Sequence, residues 1–296
     1  MKEVVVISGK GGTGKTSITA SFAVIGRDNI VVGDCDVDAD DMHLLLEPDY
    51  KSTEDFYSGY TAVIDQEKCT ACGKCMDVCR FKAVDNKIGK FEINSADCEG
   101  CGYCCVICPE KAITMQDAYV GEVFISGIKT GTEMVHARLK AGADNSGKLV
   151  ARVKKIAGEI AKKDGKDLIL IDGSPGIGCP VISSLSGADF VILVTEPTPS
   201  GIHDLKRVFE LIQKFKIRSG LIINKHDLNL ELSAELKDFA KNEGIKVLAE
   251  IPYEPDFTKA MTEGFTVVEY NNKTLKKILT EAWAEAEKEI YKEVIK

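Results

Sequence analysis

The sequence predicts an α/β fold: a doubly wound parallel sheet interrupted by a smaller α+β module. Three observations predict it. A glycine-rich run, Gly9-Lys10-Gly11-Gly12-Thr13-Gly14-Lys15-Thr16, stands between an apolar stretch at 4–7 and a helical pattern at 17–25. Short continuous apolar runs at 167–171 and 190–195 mark parallel strands buried on both faces, and further strands read at 220–224 and 246–251. Eight cysteines fall into two evenly spaced runs between 69 and 108.

Strand, glycine loop and helix, in that order, form the setting of a phosphate-binding loop. Glycines let backbone N–H groups turn inward around an anion, and the helix N-terminus adds its positive end. Residues 9–16 fit G-x-x-x-x-G-K-[ST], so Lys15 is expected to reach the terminal phosphates and the Thr16 hydroxyl to ligate Mg²⁺. Gly11, Gly12, Thr13, Gly14 and Ser17 complete the expected phosphate-contacting set. Lys10 places a second lysine in the loop. The stretch from Lys10 to Thr16 closely resembles the deviant Walker A loop of the MinD/ParA/Mrp-type ATPases and the nitrogenase iron protein. That resemblance implies ATP/ADP and Mg²⁺ as ligands and slow, partner-stimulated hydrolysis. It also implies that Lys10 reaches across a dimer to the partner's nucleotide, in a homodimer or a heterodimer with a paralogue.

Residues 29–33 read as the second strand. It runs into Asp34-Cys35-Asp36-Val37-Asp38-Ala39-Asp40-Asp41. Doubly wound folds place ligands at such strand ends. The Asp-x-Asp run resembles the family's switch I; on that resemblance Asp36 orients the attacking water and Asp34 supports the magnesium shell. Asp38 fits the water-orienting role equally. Asp40 and Asp41 read as an acidic helix start, and Cys35 as core. A short helix is expected at 42–46, stopped near Pro48.

From 57 to 117 the chain is cysteine-rich, which divides it into a discontinuous nucleotide domain, 1–56 and 118–296, and an insert. Cys69, Cys72, Cys75 and Cys79 are followed by Cys98, Cys101, Cys104 and Cys108-Pro109. Each run has the spacing of bacterial ferredoxins: three thiolates wrap one 4Fe-4S cubane and the fourth ligates the other. The expected ligand sets are therefore Cys69, Cys72, Cys75 with Cys108, and Cys98, Cys101, Cys104 with Cys79. Fragments around the runs repeat as well: Ile64-Asp65 against Ile93-Asn94, and Lys82-Ala83-Val84 against Lys111-Ala112-Ile113. Zinc sites usually use four ligands in paired C-x2-C units, so eight in this arrangement favour two clusters over zinc. Arg80 stands where a proline often follows, and Cys105 reads as a small packed residue.

The sheet is expected to resume with a strand at 120–125, followed by helical patterns at 132–141 and 148–163 around a turn at 145–148. The strand at 167–171 ends in Asp172-Gly173-Ser174-Pro175-Gly176, which resembles Walker B and switch II. Asp172 is then expected on the Mg²⁺ water shell or the Thr16 hydroxyl, and the Gly176 N–H on the γ-phosphate. Cys179 follows; the nitrogenase iron protein also has a switch II cysteine, but no second cysteine matches it here. Asn224-Lys225-His226-Asp227 ends another strand at the family's adenine-contacting place, with Pro252-Tyr253 lining the base pocket. The run also fits the N-K-x-D guanine motif; the loop resemblance favours adenine. Helices are expected at 201–215, 230–242 and 274–296. The four histidines read as surface or locally bonded.

The chain of 296 residues is 44% hydrophobic and carries a net charge of −8, a soluble globular balance that argues against nucleic-acid or polybasic membrane binding. No apolar run reaches a membrane span. With strand one opening the chain and no targeting segment read, a cytoplasmic protein is expected. Eleven cysteines there are not a disulfide framework. The combined expectation is an ATPase that couples nucleotide-driven switch and dimer changes to electron transfer through two 4Fe-4S clusters toward a redox partner. The rivals are a Mrp-type cluster carrier serving an apo-protein and, more remotely, a MinD-like spatial organiser.

Overall fold

The computed structural model describes residues 1–39, 41–143 and 146–292. The chain opens with β1 (Lys2–Ser8), α1 (Lys15–Ile25), β2 (Ile30–Asp34), α2 (His43–Leu46) and the long β3 (Asp49–Ile64). Then come α3 (Lys74–Val78), β4 (Val84–Lys87), β5 (Lys90–Ile93), α4 (Tyr103–Ile107), β6 (Ile113–Gly127) and β7 (Glu133–Leu139). The remainder is α5 (Ser146–Lys163), β8 (Leu168–Asp172), α6 (Cys179–Leu185), β9 (Phe190–Thr195), α7 (Pro199–Phe215), β10 (Arg218–Asn224), α8 (Leu230–Asn242), β11 (Lys246–Ile251), α9 (Asp256–Thr262) and α10 (Lys273–Tyr291).

Two compact units emerge: 1–54, 123–138 and 146–296 in the first, 55–122 and 139–145 in the second. The sequence boundaries, 57 and 117, fall inside the second unit.

The first unit is built on a sheet of order β11-β10-β9-β1-β8-β2-β7-β6-β3. β1 pairs in parallel with β8 and β9, and β2 with β8 and β7. Val4 to Ile7 of β1 are fully buried, which is why that run is apolar without alternation. On one face Ile18 and Phe22 of α1 and Leu275, Leu279 and Trp283 of α10 pack with Val4, Val6, Val32 and Leu170. The Trp283 ring lies 5.1 Å from that of Phe22. On the other, α5 packs against β2, β8 and α6 through a stripe that includes Val150, Val153 and Ala157. Burial of each large side chain contributes about 1.5–3 kcal/mol. The register sets Val6 beside Asp172 and Asp172 beside Asp34, so three strand ends meet at one point. The strand order diverges there to either side of β1, the place where such sheets bind ligands.

Several expectations need correction. The helical pattern at 132–141 is the strand β7, with Met134 beside Val32 and Val135 beside Gly33. Glu, Met, Ala, Arg and Leu favour helix weakly, and pairing with β2 overrides that preference. α5 begins at Ser146, so most of the turn read at 145–148 is helix, and Asn145 lies outside the described residues. Asp40 and the last four residues, 293–296, lie outside them too. The sequence pattern predicts no strand at 49–64, because residues 49–55 of β3 are exposed on both faces and show no alternation. Nor does it predict the seven-residue helices α6 and α9. His136 is fully buried, its Nε2 3.0 Å from Ser126 Oγ.

The second unit carries the internal repeat into three dimensions. Its core joins Ala62, Ile64, Val84, Phe91 and Ile113 to the cysteines. β4 and β5 form an antiparallel pair, Val84 beside Ile93. The Asp65 N–H donates to Ala112 O at 2.7 Å and the Asn94 N–H to Ala83 O at 2.8 Å, so each half-repeat opens on the end of the other. α3 and α4 each span five residues, enter through a left-handed glycine (Gly73, φ 79°; Gly102, φ 73°) and leave through an extended cysteine, Cys79 or Cys108. Such φ values favour glycine, which explains Cys-Gly-x-Cys in both runs.

Candidate functional site

The loop after β1 wraps the N-terminus of α1. Gly12 (φ 78°) and Gly14 (φ 88°) are left-handed, and a Cβ on Gly14 would lie 2.5 Å from Asn224 Nδ2. Two side chains from the end of β10 hold the outer carbonyls of the loop. Asn224 Nδ2 donates to Thr13 O at 2.8 Å, and Lys225 Nζ to Gly12 O at 3.1 Å.

Lys15, 5% exposed, sits between three strand ends. Its Nζ lies 2.8 Å from Asp172 Oδ2 and 3.3 Å from Asp36 Oδ2. Burial alone would push this ammonium down; Asp172, Asp36 and Asp34 outweigh it and hold the pKa above the ordinary lysine value. Asp172 is fully buried and accepts from three residues: Lys15, Thr16 Oγ1 at 2.8 Å and, on its other oxygen, Thr19 Oγ1 at 2.8 Å. Burial raises the Asp36 carboxyl above the usual aspartate range against the pull of Lys15. Asp34 Oδ1 accepts the Asp36 N–H at 3.0 Å, which orders the turn after β2. Cys35 is fully buried, its thiol pushed well up by burial, and its carbonyl accepts Ser174 Oγ at 2.8 Å.

The expected residues thus divide. Lys15, Thr16, Asp34, Asp36 and Asp172 converge. Gly12, Gly14, Ser17, Asn224, Lys225 and Pro252 line one open cleft, with Tyr253, Phe257 and Met261 as its apolar wall. Asp227 is turned to structural use, accepting the Tyr253 N–H at 2.6 Å. The Gly176 N–H donates to Ser8 O at 2.9 Å. Lys10 pairs within its own chain, with Glu196 at 2.7 Å. Thr19 and Glu196 were missed; Thr19 sits one helical turn after Lys15, where it faces the same carboxylate.

In the second unit the cysteines surround two cavities. One is lined by Cys69, Cys72, Cys75 and Cys108. The other is lined by Cys79, Cys98, Cys101 and Cys104. The fourth cysteine of each run therefore joins the other run's three. Apolar side chains, Ile64, Phe91 and Ile113 in one and Ala62, Val84 and Ile93 in the other, close them. Cys72 and Cys101 are exposed. Among the described residues no group of three or more His, Cys, Asp or Glu is arranged to hold a metal ion.

A glycine loop at the mouth of a parallel sheet, with a buried lysine, a threonine and a strand-end aspartate in contact, defines a P-loop nucleotide-binding protein. Residues 4–267 match the CobQ/CobB/MinD/ParA nucleotide-binding domain, and the chain belongs to that family. It is 36% identical over 282 residues to an uncharacterized protein of Methanocaldococcus jannaschii, 93% of each chain being covered. A second uncharacterized protein of that organism is 26% identical over 278 residues, covering 92% of this chain and 93% of the relative. Among solved structures, the septum site-determining protein MinD complexed with Mg-ADP from Pyrococcus horikoshii shares the fold. Its TM-score is 0.59 at 19% identity, over 98% of this chain and 97% of that one. A chain of the MinC:MinD cell division protein complex of Aquifex aeolicus gives 0.60 at 18%, over 100% and 99%. Among the described residues no helix is long and apolar enough to cross a membrane.

Proposed function

We propose that this protein binds and hydrolyses Mg-ATP in its first unit, carries two 4Fe-4S clusters in its second, and couples the nucleotide state to electron transfer through them. The observation that carries the cluster assignment is the crossed lining of the two cavities, three cysteines from one run and the fourth from the other. A cubane presents four irons at separate corners, so its thiolates surround a volume and do not converge on one ion. The clusters would supply one-electron chemistry; the chain supplies thiolates, apolar walls and the exposed edges at Cys72 and Cys101.

For the nucleotide, loop N–H groups and Lys15 would bind phosphates, and Thr16 would ligate Mg²⁺ with Asp172 and Asp34 behind it. Asp36 would orient water, and the cleft walled by Pro252 and Tyr253 would take adenine. Lys10 would leave Glu196 for the nucleotide of a second chain. Two relatives of similar length in one organism make a heterodimer as reasonable as a homodimer. Coupling rests on chain order: the segment that carries Asp34 and Asp36 leads through α2 and β3 directly into the cysteine unit. A switch segment that moves with the γ-phosphate pulls on the chain immediately beyond it.

The test compares cluster reduction with Mg-ATP, Mg-ADP and no nucleotide, in the parent and in Lys15→Ala. A rate or potential that responds to nucleotide in the parent alone supports coupling; indifference in all samples removes it. The second reading, a cluster carrier, is favoured by the exposure of Cys72 and Cys101. Transfer of iron and sulfide to an apo-ferredoxin faster than electron transfer would support it.

A further inference from the structure

Glu196 stands one residue past β9, and its two carboxylate oxygens have different partners. Oε1 lies 2.7 Å from Lys10 Nζ and Oε2 lies 2.8 Å from Lys225 Nζ. Each lysine has further partners. Lys10 Nζ donates to Ser200 Oγ at 2.9 Å and Thr198 Oγ1 at 3.2 Å. Lys225 Nζ donates to Gly12 O at 3.1 Å. The Glu196 side chain is only 12% exposed, and Lys10 and Lys225 are 28% and 27% exposed. One carboxylate therefore joins the first part of the phosphate loop to the end of β10.

The charge logic is unusual for an anion site. A carboxylate beside a polyphosphate cradle repels the ligand unless it is neutralised. Here the neutralising groups are two lysines that the ligand's charge would itself draw. Burial pushes the Glu196 carboxyl up, but the hydrogen bonds and charges of Lys10 and Lys225 outweigh that and hold it below the usual glutamate range. It is thus an ionised competitor for both cations.

We propose that Glu196 is a positioning residue that latches Lys10 onto the 196–200 segment and Lys225 onto the Gly12 carbonyl, and that a bound polyphosphate must draw Lys10 out of this latch. The proposal rests on the nucleotide reading above. It makes nucleotide affinity the difference between two counter-ions for one lysine. Neutralising Glu196 keeps the shape and one acceptor while removing the competition. The gain grows with ligand charge and shrinks with added salt.

The experiment is calorimetric titration of the full chain with Mg-ATPγS and with Mg-ADP, at low and high salt. The samples are the parent, Glu196→Gln, Lys10→Ala, the double variant, and Ser200→Ala. Glu196→Gln is expected to tighten Mg-ATPγS by roughly three- to tenfold and Mg-ADP by less. The gain should vanish in the Lys10→Ala background. Ser200→Ala, which loosens the same lysine from the other side without touching the carboxylate, should move affinity the same way by less. A purely structural Glu196 predicts the reverse: equal weakening of both nucleotides, with or without Lys10. That result, or an unmoved affinity in Glu196→Gln beside normal parental binding, overturns the latch alone. Failure of the parent to bind either nucleotide overturns the nucleotide reading and the latch with it.

Discussion

Replacing Asp172 by asparagine tests the buried charge arrangement most sharply. Asp172 is fully buried and accepts from Lys15, Thr16 and Thr19, each at 2.8 Å. An asparagine there has one acceptor oxygen and presents an NH₂ group to at least one of these donors. It also leaves Lys15 with Asp36 at 3.3 Å as its nearest counter-ion. Removing one partner of a buried ion pair costs about 3–5 kcal/mol. The remaining Asp36 places the expected loss near the lower end, about 3 kcal/mol. For a chain of this size that is a fall in Tm of about 6–10 °C. Urea unfolding followed by circular dichroism, with and without Mg-ADP, measures it. Bound diphosphate offers Lys15 another anion, so the gap between parent and variant should narrow with Mg-ADP. An apo variant within about 1 kcal/mol of the parent would refute the claim that Asp172 holds a buried lysine.

Three further outcomes come from the same geometry. Gly14→Ala places a Cβ 2.5 Å from Asn224 Nδ2 at φ 88°; it should cost about 1–2 kcal/mol of backbone strain and lower nucleotide affinity by about tenfold or more, read by unfolding and titration. Cys79→Ala combined with Cys98→Ala should leave about four irons per chain, whereas Cys79→Ala with Cys69→Ala should leave almost none; iron analysis after anaerobic purification decides, and the opposite pattern would rule out the crossed ligand sets. Glu196 has a depressed folded pKa, so its contribution to stability is present above the unfolded value of 4.5 and is lost as pH falls through the folded one. Urea midpoints at pH 7 and at about pH 3 should therefore differ more in the parent than in Glu196→Gln.

How much of this was legible in the residues depended on what held each element. Strand β9 and helix α8 were readable to the residue, because burial on both faces of a strand or one face of a helix writes itself into the apolar pattern. The phosphate loop was readable because glycine is needed where φ is left-handed. β7 was misread, since its side chains favour helix and only the distant partner β2 makes it a strand. Residues 49–55 of β3 carried no signal, because exposure on both faces leaves nothing to alternate. In the site, Lys15, Thr16 and Asp172 were found by motif. Glu196 was not: its importance lies in two lysines, one 186 residues before it and one 29 after, that only the folded chain brings to it.

The most direct measurement is iron and acid-labile sulfide per chain in protein purified without oxygen, counted alongside zinc. The arrangement of the eight thiols around two separate cavities predicts about eight irons and about eight sulfides, with no zinc. One or two zinc ions, or an iron-free module that still folds, would contradict it and leave a nucleotide switch without electrons to move.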